Sequence, residues 1–200
     1  GGADGAAPLE RFLQAYPASR WAPAILLNLG DDAYATGRFQ RAMSSWQRAW
    51  NLAKVGADPV SRRLANLAIA EYAKMNARVG RQDELDRIFQ EVQGREFLGD
   101  ARVKLHSALE GRWAMAHKPG IAFRCGPYAL TKLAELLGNS SSAQTAGFLS
   151  RIQSPPTGFS LQEVLTMSSE LGLRLQMAKR SAGAQVIVPA VIHWKVGHFG

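Results

Sequence analysis

The sequence predicts an α+β chain: helical hairpins over residues 1–118, then a smaller α+β domain over residues 119–200. Three observations predict it. Apolar residues between Ala24 and Lys54 recur at three- and four-residue spacing on either side of a Thr36-Gly37-Arg38 break. The texture changes at Pro119-Gly120, after which Ser- and Pro-rich stretches separate short apolar segments. From Leu173 the apolar period becomes two, as in a half-buried strand.

In the first region, Leu9-Glu-Arg-Phe-Leu-Gln-Ala-Tyr-Pro17 reads as a helix stopped by proline. Leu26, Leu27 and Leu29 precede Gly30 on the next helix, followed by Ala33 and Tyr34. After the turn, Phe39, Ala42, Trp46, Ala49 and Trp50 form one apolar stripe. Gly30 and Ala42 let the two helices approach, while Leu29 and Trp46 fill the space between them. Both tryptophans are therefore expected in the core. Leu67, Tyr72, Gly80, Leu85 and Phe89 repeat the pattern more weakly between Val60 and Val92, and a third hairpin is expected from Gly99 to His117. The glycine after a leucine on one helix, with the alanine–aromatic–alanine series on the next, resembles a tetratricopeptide repeat. That resemblance implies a stacked array that either binds a peptide or partner segment on its concave face or serves as a spacer.

In the second region a helix is expected to start at Cys125, because Pro127 is tolerated only in a first turn. Leu130, Leu133, Leu136 and Leu137 mark its buried face, and Gly138 closes it. A short helix is expected around Ala143–Ile152. Ser160-Leu-Gln-Glu163 is a capping box that opens a helix ending at Gly172. Strands are expected at Leu173–Met177, Val186–Val188 and Ala190–Trp194. Lys195-Val-Gly197 then turns into a returning strand at His198-Phe199.

At 46% hydrophobic and 20% charged, the 200 residues have the composition of a globular protein. No apolar run reaches the roughly 20 residues of a membrane span. The opening Gly-Gly-Ala-Asp-Gly-Ala-Ala-Pro lacks the basic and apolar regions of a signal peptide. Residues 1–100 hold 13 basic against 12 acidic residues, and residues 101–200 hold 11 against 4. The basic residues are scattered, without a Lys/Arg block or interleaved aromatics, which argues against a nucleic-acid partner. The single cysteine, Cys125, excludes an internal disulfide. His106, His117, His193 and His198 lack Cys or acidic partners at ligand spacing, and there is no Gly-rich phosphate loop. No metal or other cofactor is expected.

Cys125 has the setting a nucleophilic thiol needs. Its reactive form is the thiolate, which the unpaired N–H groups and dipole of a helix N-terminus stabilise. Gly126 gives a substrate backbone room to approach, Arg124 adds positive charge, and His198 on a strand edge is a candidate base.

The ordered series Cys125-Gly126-Pro127, Gly158-Phe-Ser160-Leu161, Leu171-Gly172, Pro189-Ala-Val-Ile192-His193-Trp194 and His198-Phe199 resembles the bacteriocin-processing (double-glycine) cysteine peptidases, a papain-like family. The resemblance covers residues 121–200. It implies a bacterial setting, Cys125 as nucleophile, His198 rather than His193 as general base, and a peptide or protein substrate cut after small residues such as Gly-Gly. A segment of a longer parent polypeptide is one such substrate. The chain departs from the family at two places. The glutamine expected six residues before the cysteine, an oxyanion donor, is Pro119. The Asp or Asn that orients the histidine ring is absent after His198, and Asn139 is the only asparagine in residues 101–200, which hold no aspartate. A returning strand that opens at His198 reads as incomplete, so the chain is expected to be a fragment. Alternatives that remain are a catalytically degenerate domain, with the repeats as an interaction scaffold, and acyl transfer to an amine.

Overall fold

The computed structural model describes residues 3–200. Gly1 and Gly2, which open the segment read above for a signal peptide, lie outside the described residues. The chain is mostly helical, and a two-stranded antiparallel sheet is the only sheet among the described residues. It divides into two compact units, Gly1–Arg112 and Trp113–Gly200.

The first unit contains α1 (Ala3–Ala15), α2 (Ala22–Ala35), α3 (Phe39–Ala53), α4 (Pro59–Arg78), α5 (Gln82–Glu91) and the start of α6 (Gly99–His117). Gly37 adopts a φ of +73° in the connection that folds α3 back along α2, a conformation open to glycine at little steric cost. Trp46 fills the gap between these helices and is 2% exposed. A Cβ at Gly30 would lie 2.4 Å from the Trp46 Nε1, so only glycine leaves room for the indole. The same Nε1 donates a 3.0 Å hydrogen bond to Asp31 Oδ1. Trp50 is likewise buried, and its Nε1 donates to Glu91 Oε1 at 3.0 Å, tying α3 to α5. Asp58 caps α4 by accepting from the Val60 and Ser61 N–H groups, with Pro59 in the first turn. Leu85 and Ile88 from α5 complete the core around Ile69 and the α4 alanines.

The expected hairpin between Gly99 and His117 is instead one continuous helix. Gly111 lies within it, and its missing side chain lets α6 approach Ala77. An added Cβ would meet the Ala77 Cβ at 3.0 Å.

The second unit begins at the end of α6 and contains α7 (Pro119–Ala122), α8 (Cys125–Leu136), α9 (Ser142–Arg151) and α10 (Leu161–Ser168). A 3-10 turn at Ser169–Leu171 follows, then β1 (His193–Trp194) and β2 (His198–Phe199). Ser141 and Ser160 each form a full capping box, with Gln144 and Glu163 respectively. Gly138 (φ +70°) and Gly172 (φ +67°) end their helices in the left-handed region. Leu130, Leu133, Phe148, Val164, Leu171, Leu173 and Phe199 form the core.

The β structure is smaller than the sequence predicts. Leu173 is buried and Leu175 packs against the same core, but Met177 is exposed, so the alternation holds only for its first two positions. Yet residues 173–177 have no ladder partner among the described residues and are not a strand. Val186–Val188 are exposed and lie outside the sheet, and of Ala190–Trp194 the pairing starts at Ile192, which exchanges both backbone hydrogen bonds with Gly200, and continues through His193 and Trp194. High β propensity marks a segment that fits a pleated surface, and a ladder requires a neighbour as well.

Candidate functional site

Cys125 is the first residue of α8, and no side chain caps that helix N-terminus. The N–H groups of Cys125 and Gly126 therefore have no side-chain cap, and Pro127 in the same turn has no N–H to cap. Cys125 is a free thiol, half-buried, resting against the core of the second unit.

Gly126 determines what lies beside it. A Cβ on Gly126 would come within 2.5 Å of Val164 Cγ2 and 3.4 Å of the Phe199 ring. The absent side chain thus seats β2 on the first turn of α8. Cys125 and His198 are the sequence neighbours of the two residues in this contact, Gly126 and Phe199.

The hairpin fixes the two candidate imidazoles. In its register His193 lies opposite Phe199 and Trp194 opposite His198. Directly opposed residues share a face of an antiparallel pair, so the histidines occupy opposite faces. His193 is exposed and stacks on Phe199, with ring centroids 4.3 Å apart and planes 15° apart. His198 is half-buried. Gly197, at φ +83°, makes the turn between the strands.

Arg124 does not turn its charge outward beside the thiol. It is buried, and its Nε donates a 2.8 Å hydrogen bond to the Gly120 carbonyl. The same carbonyl accepts from the Ser154 N–H at 3.0 Å, while the Ser154 hydroxyl donates to the Pro119 carbonyl at 2.7 Å. Arg124 and Ser154 together hold α7 in place ahead of Cys125.

The two polar side chains just before Pro119 are engaged with Trp113. His117 stacks on Trp113 at 4.7 Å, with its Nδ1 2.9 Å from the Trp113 carbonyl, and Lys118 lies over the Trp113 indole. The amide the sequence reading missed is Gln153. Its Oε1 lies where a Cβ on Gly120 would be 2.1 Å away, so the amide rests on the α7 backbone. No spacing rule marks Gln153, because it reaches α7 only through the fold of the α9–α10 connection.

Among the described residues, no three His, Cys, Asp or Glu side chains gather as metal ligands would. No helix among them is long and apolar enough to cross a membrane. No family model matches the chain, and no curated protein or solved structure matches it.

Proposed function

We propose that the second unit is a papain-like cysteine peptidase domain of the bacteriocin-processing type, with Cys125 as nucleophile and His198 as general base, and that tetratricopeptide-like repeats precede it. The observation that carries this reading is the seating of β2 on the uncapped first turn of α8 through Gly126 and Phe199. It brings the strand that carries His198 against the helix end that carries Cys125.

In this reading the Cys125 thiolate attacks the scissile carbonyl carbon, forming a C–S bond. The His198 imidazolium protonates the departing amine as the C–N bond breaks. Water, deprotonated by the imidazole, then hydrolyses the thioester and restores the thiol. Gln153 is the candidate to donate its amide N–H to the oxyanion, since Pro119 has no such group. The substrate is a peptide with small residues such as Gly-Gly before the cut, either a separate protein or a segment of the parent polypeptide.

A second reading is favoured by the Pro119 position and by the engagement of His117 and Lys118 with Trp113: a peptidase-like domain that no longer cleaves, with the helical hairpins as a protein-interaction scaffold. Iodoacetamide alkylation of Cys125, followed against pH in wild type, His198→Ala and His193→Ala, separates the two. The peptidase reading expects His198→Ala to slow the neutral-pH reaction by about tenfold or more, with His193→Ala close to wild type. A slow reaction indifferent to His198 would leave the scaffold.

A further inference from the structure

The second unit carries a long run of chain that no described residue covers: every residue from Gln176 to Ala190 is exposed. A turn at Ser181–Ala184 divides the run into two limbs. The Ala184 N–H closes it on the Ser181 carbonyl, and Gly183 takes a φ of +79°. The second limb, Gln185–Val188, leads through Pro189 to the β1–β2 hairpin.

Two features of that limb point to a partner strand. The first is its two-sided apolar character. Val186, Ile187 and Val188 are 46%, 80% and 78% exposed. Successive residues of a strand face opposite sides, so this triplet is apolar on both faces, the pattern of a strand covered above and below. Its backbone is open as well. The N–H and C=O groups of Gln185, Val186, Ile187 and Val188 bond to no described residue, and such a row is what an incoming strand extends. The second feature is charge. After Glu170 the chain carries Arg174, Lys179, Arg180 and Lys195, and neither Asp nor Glu. Arg180 stands at the head of the limb, where its Nη1 donates a 2.5 Å hydrogen bond to the Ala184 carbonyl. Neither Lys179 nor Arg180 forms an ion pair among the described residues.

We infer that Gln185–Val188 is a docking edge for an extended acidic segment of a partner protein, which adds to it as a β-strand. The partner's backbone takes up the open N–H and C=O groups, its apolar residues cover the Val186–Val188 triplet, and its carboxylates meet Lys179 and Arg180. A second copy of this chain would bring its own surplus of positive charge to the contact. An anionic membrane matches the charge, but its hydrocarbon leaves the amides without partners. A single-stranded nucleic acid needs rings to stack on, and no aromatic residue lies between Phe159 and Trp194. The edge is independent of the peptidase reading.

The test is fluorescence anisotropy of the full chain with three labelled peptides: one of alternating Glu and Val, its Lys-Val counterpart, and the acidic peptide N-methylated at two adjacent central residues. The acidic peptide is expected to bind with a Kd on the order of 100 μM or tighter, and the other two about tenfold or more weaker. The double variant Val186→Pro/Ile187→Pro removes one N–H from each edge of the limb. It is expected to abolish binding and to leave the melting temperature unchanged, because neither N–H is bonded within the chain. Arg180→Glu is expected to weaken the acidic peptide about tenfold. Equal binding of the Lys-Val or N-methylated peptide, binding unchanged by the double variant, or no binding up to about 1 mM would each overturn the inference. So would a dimer in sedimentation velocity that the double variant dissolves, which assigns the edge to a second copy. Binding to phosphatidylserine vesicles without peptide binding would assign it to a membrane and overturn the inference equally.

Discussion

A methyl group added at Gly126 has nowhere to go. Val164, whose Cγ2 it would approach to 2.5 Å, is itself 2% exposed and cannot step aside into solvent. The Phe199 ring on the other side is 4% exposed. Overpacking of this kind costs about 1–3 kcal/mol, and Gly126→Ala is expected to lower the melting temperature accordingly. Because Phe199 must yield, its neighbour His198 moves with it. The same variant is therefore expected to lose whatever acceleration of Cys125 alkylation depends on His198. A full loss of stability with wild-type alkylation would separate the glycine's packing role from the thiol's surroundings. At this scale much was legible. Pro127 pins the helix start at Cys125, and the Ser160–Glu163 box forms as its residue types predict. The Gln153 amide on Gly120 was not legible, since it depends on which segments the fold brings side by side.

Helices α4 and α5 are joined by a polar contact whose strength depends on pH. Tyr72 is buried, and its hydroxyl donates a 2.7 Å hydrogen bond to Glu84 Oε1, which also pairs with Arg87. Burial first, and then the Glu84 carboxylate, push the Tyr72 phenol up to about 12 from the ordinary 10.0. Burial works against the Glu84 charge, but the bonds from Arg87 and Tyr72 outweigh it and hold that carboxyl below its ordinary value. The sign for Tyr72 follows from proton linkage. Between pH 10 and 12 the unfolded chain releases the phenolic proton and the folded chain keeps it, so stability falls as pH rises through that window. Tyr72→Phe is expected to lower stability at pH 7 by about 1–3 kcal/mol, through the lost hydrogen bond. It should also show a shallower decline than wild type above pH 10, read from melting temperature against pH; equal slopes would place the proton linkage elsewhere. Helix positions were readable because capping and apolar stripes act within a few residues. The β segments at 173–177 and 186–188 were not, because alternation reports burial of one face and says nothing of a ladder partner. The hairpin expected between Gly99 and His117 is one uninterrupted helix, in which Gly111 is a close-packing residue beside Ala77.

Each of the two units encloses its own set of buried side chains, around Trp46, Ile69 and Leu85 in one and Leu130, Phe148 and Val164 in the other. A core of its own is what allows a unit to hold a site of its own. Leu85 and Leu130 provide a matched pair of probes, since both are leucines with 0% exposure. Truncating either to alanine leaves a cavity and costs about 2–5 kcal/mol. The consequences for the thiol should differ. Leu130 lies on α8 itself, within the core on which Cys125 rests, so Leu130→Ala is expected to disturb Cys125 alkylation and its dependence on His198. Leu85→Ala removes the same atoms from the first unit. It is expected to leave the alkylation rate at its wild-type value below the melting transition. Alkylation followed in both variants, beside far-ultraviolet circular dichroism to confirm that the helices persist, gives the comparison. An equal change in both would mean that the thiol's environment is set by the whole chain, and the peptidase reading would then belong to all 200 residues rather than to the second unit.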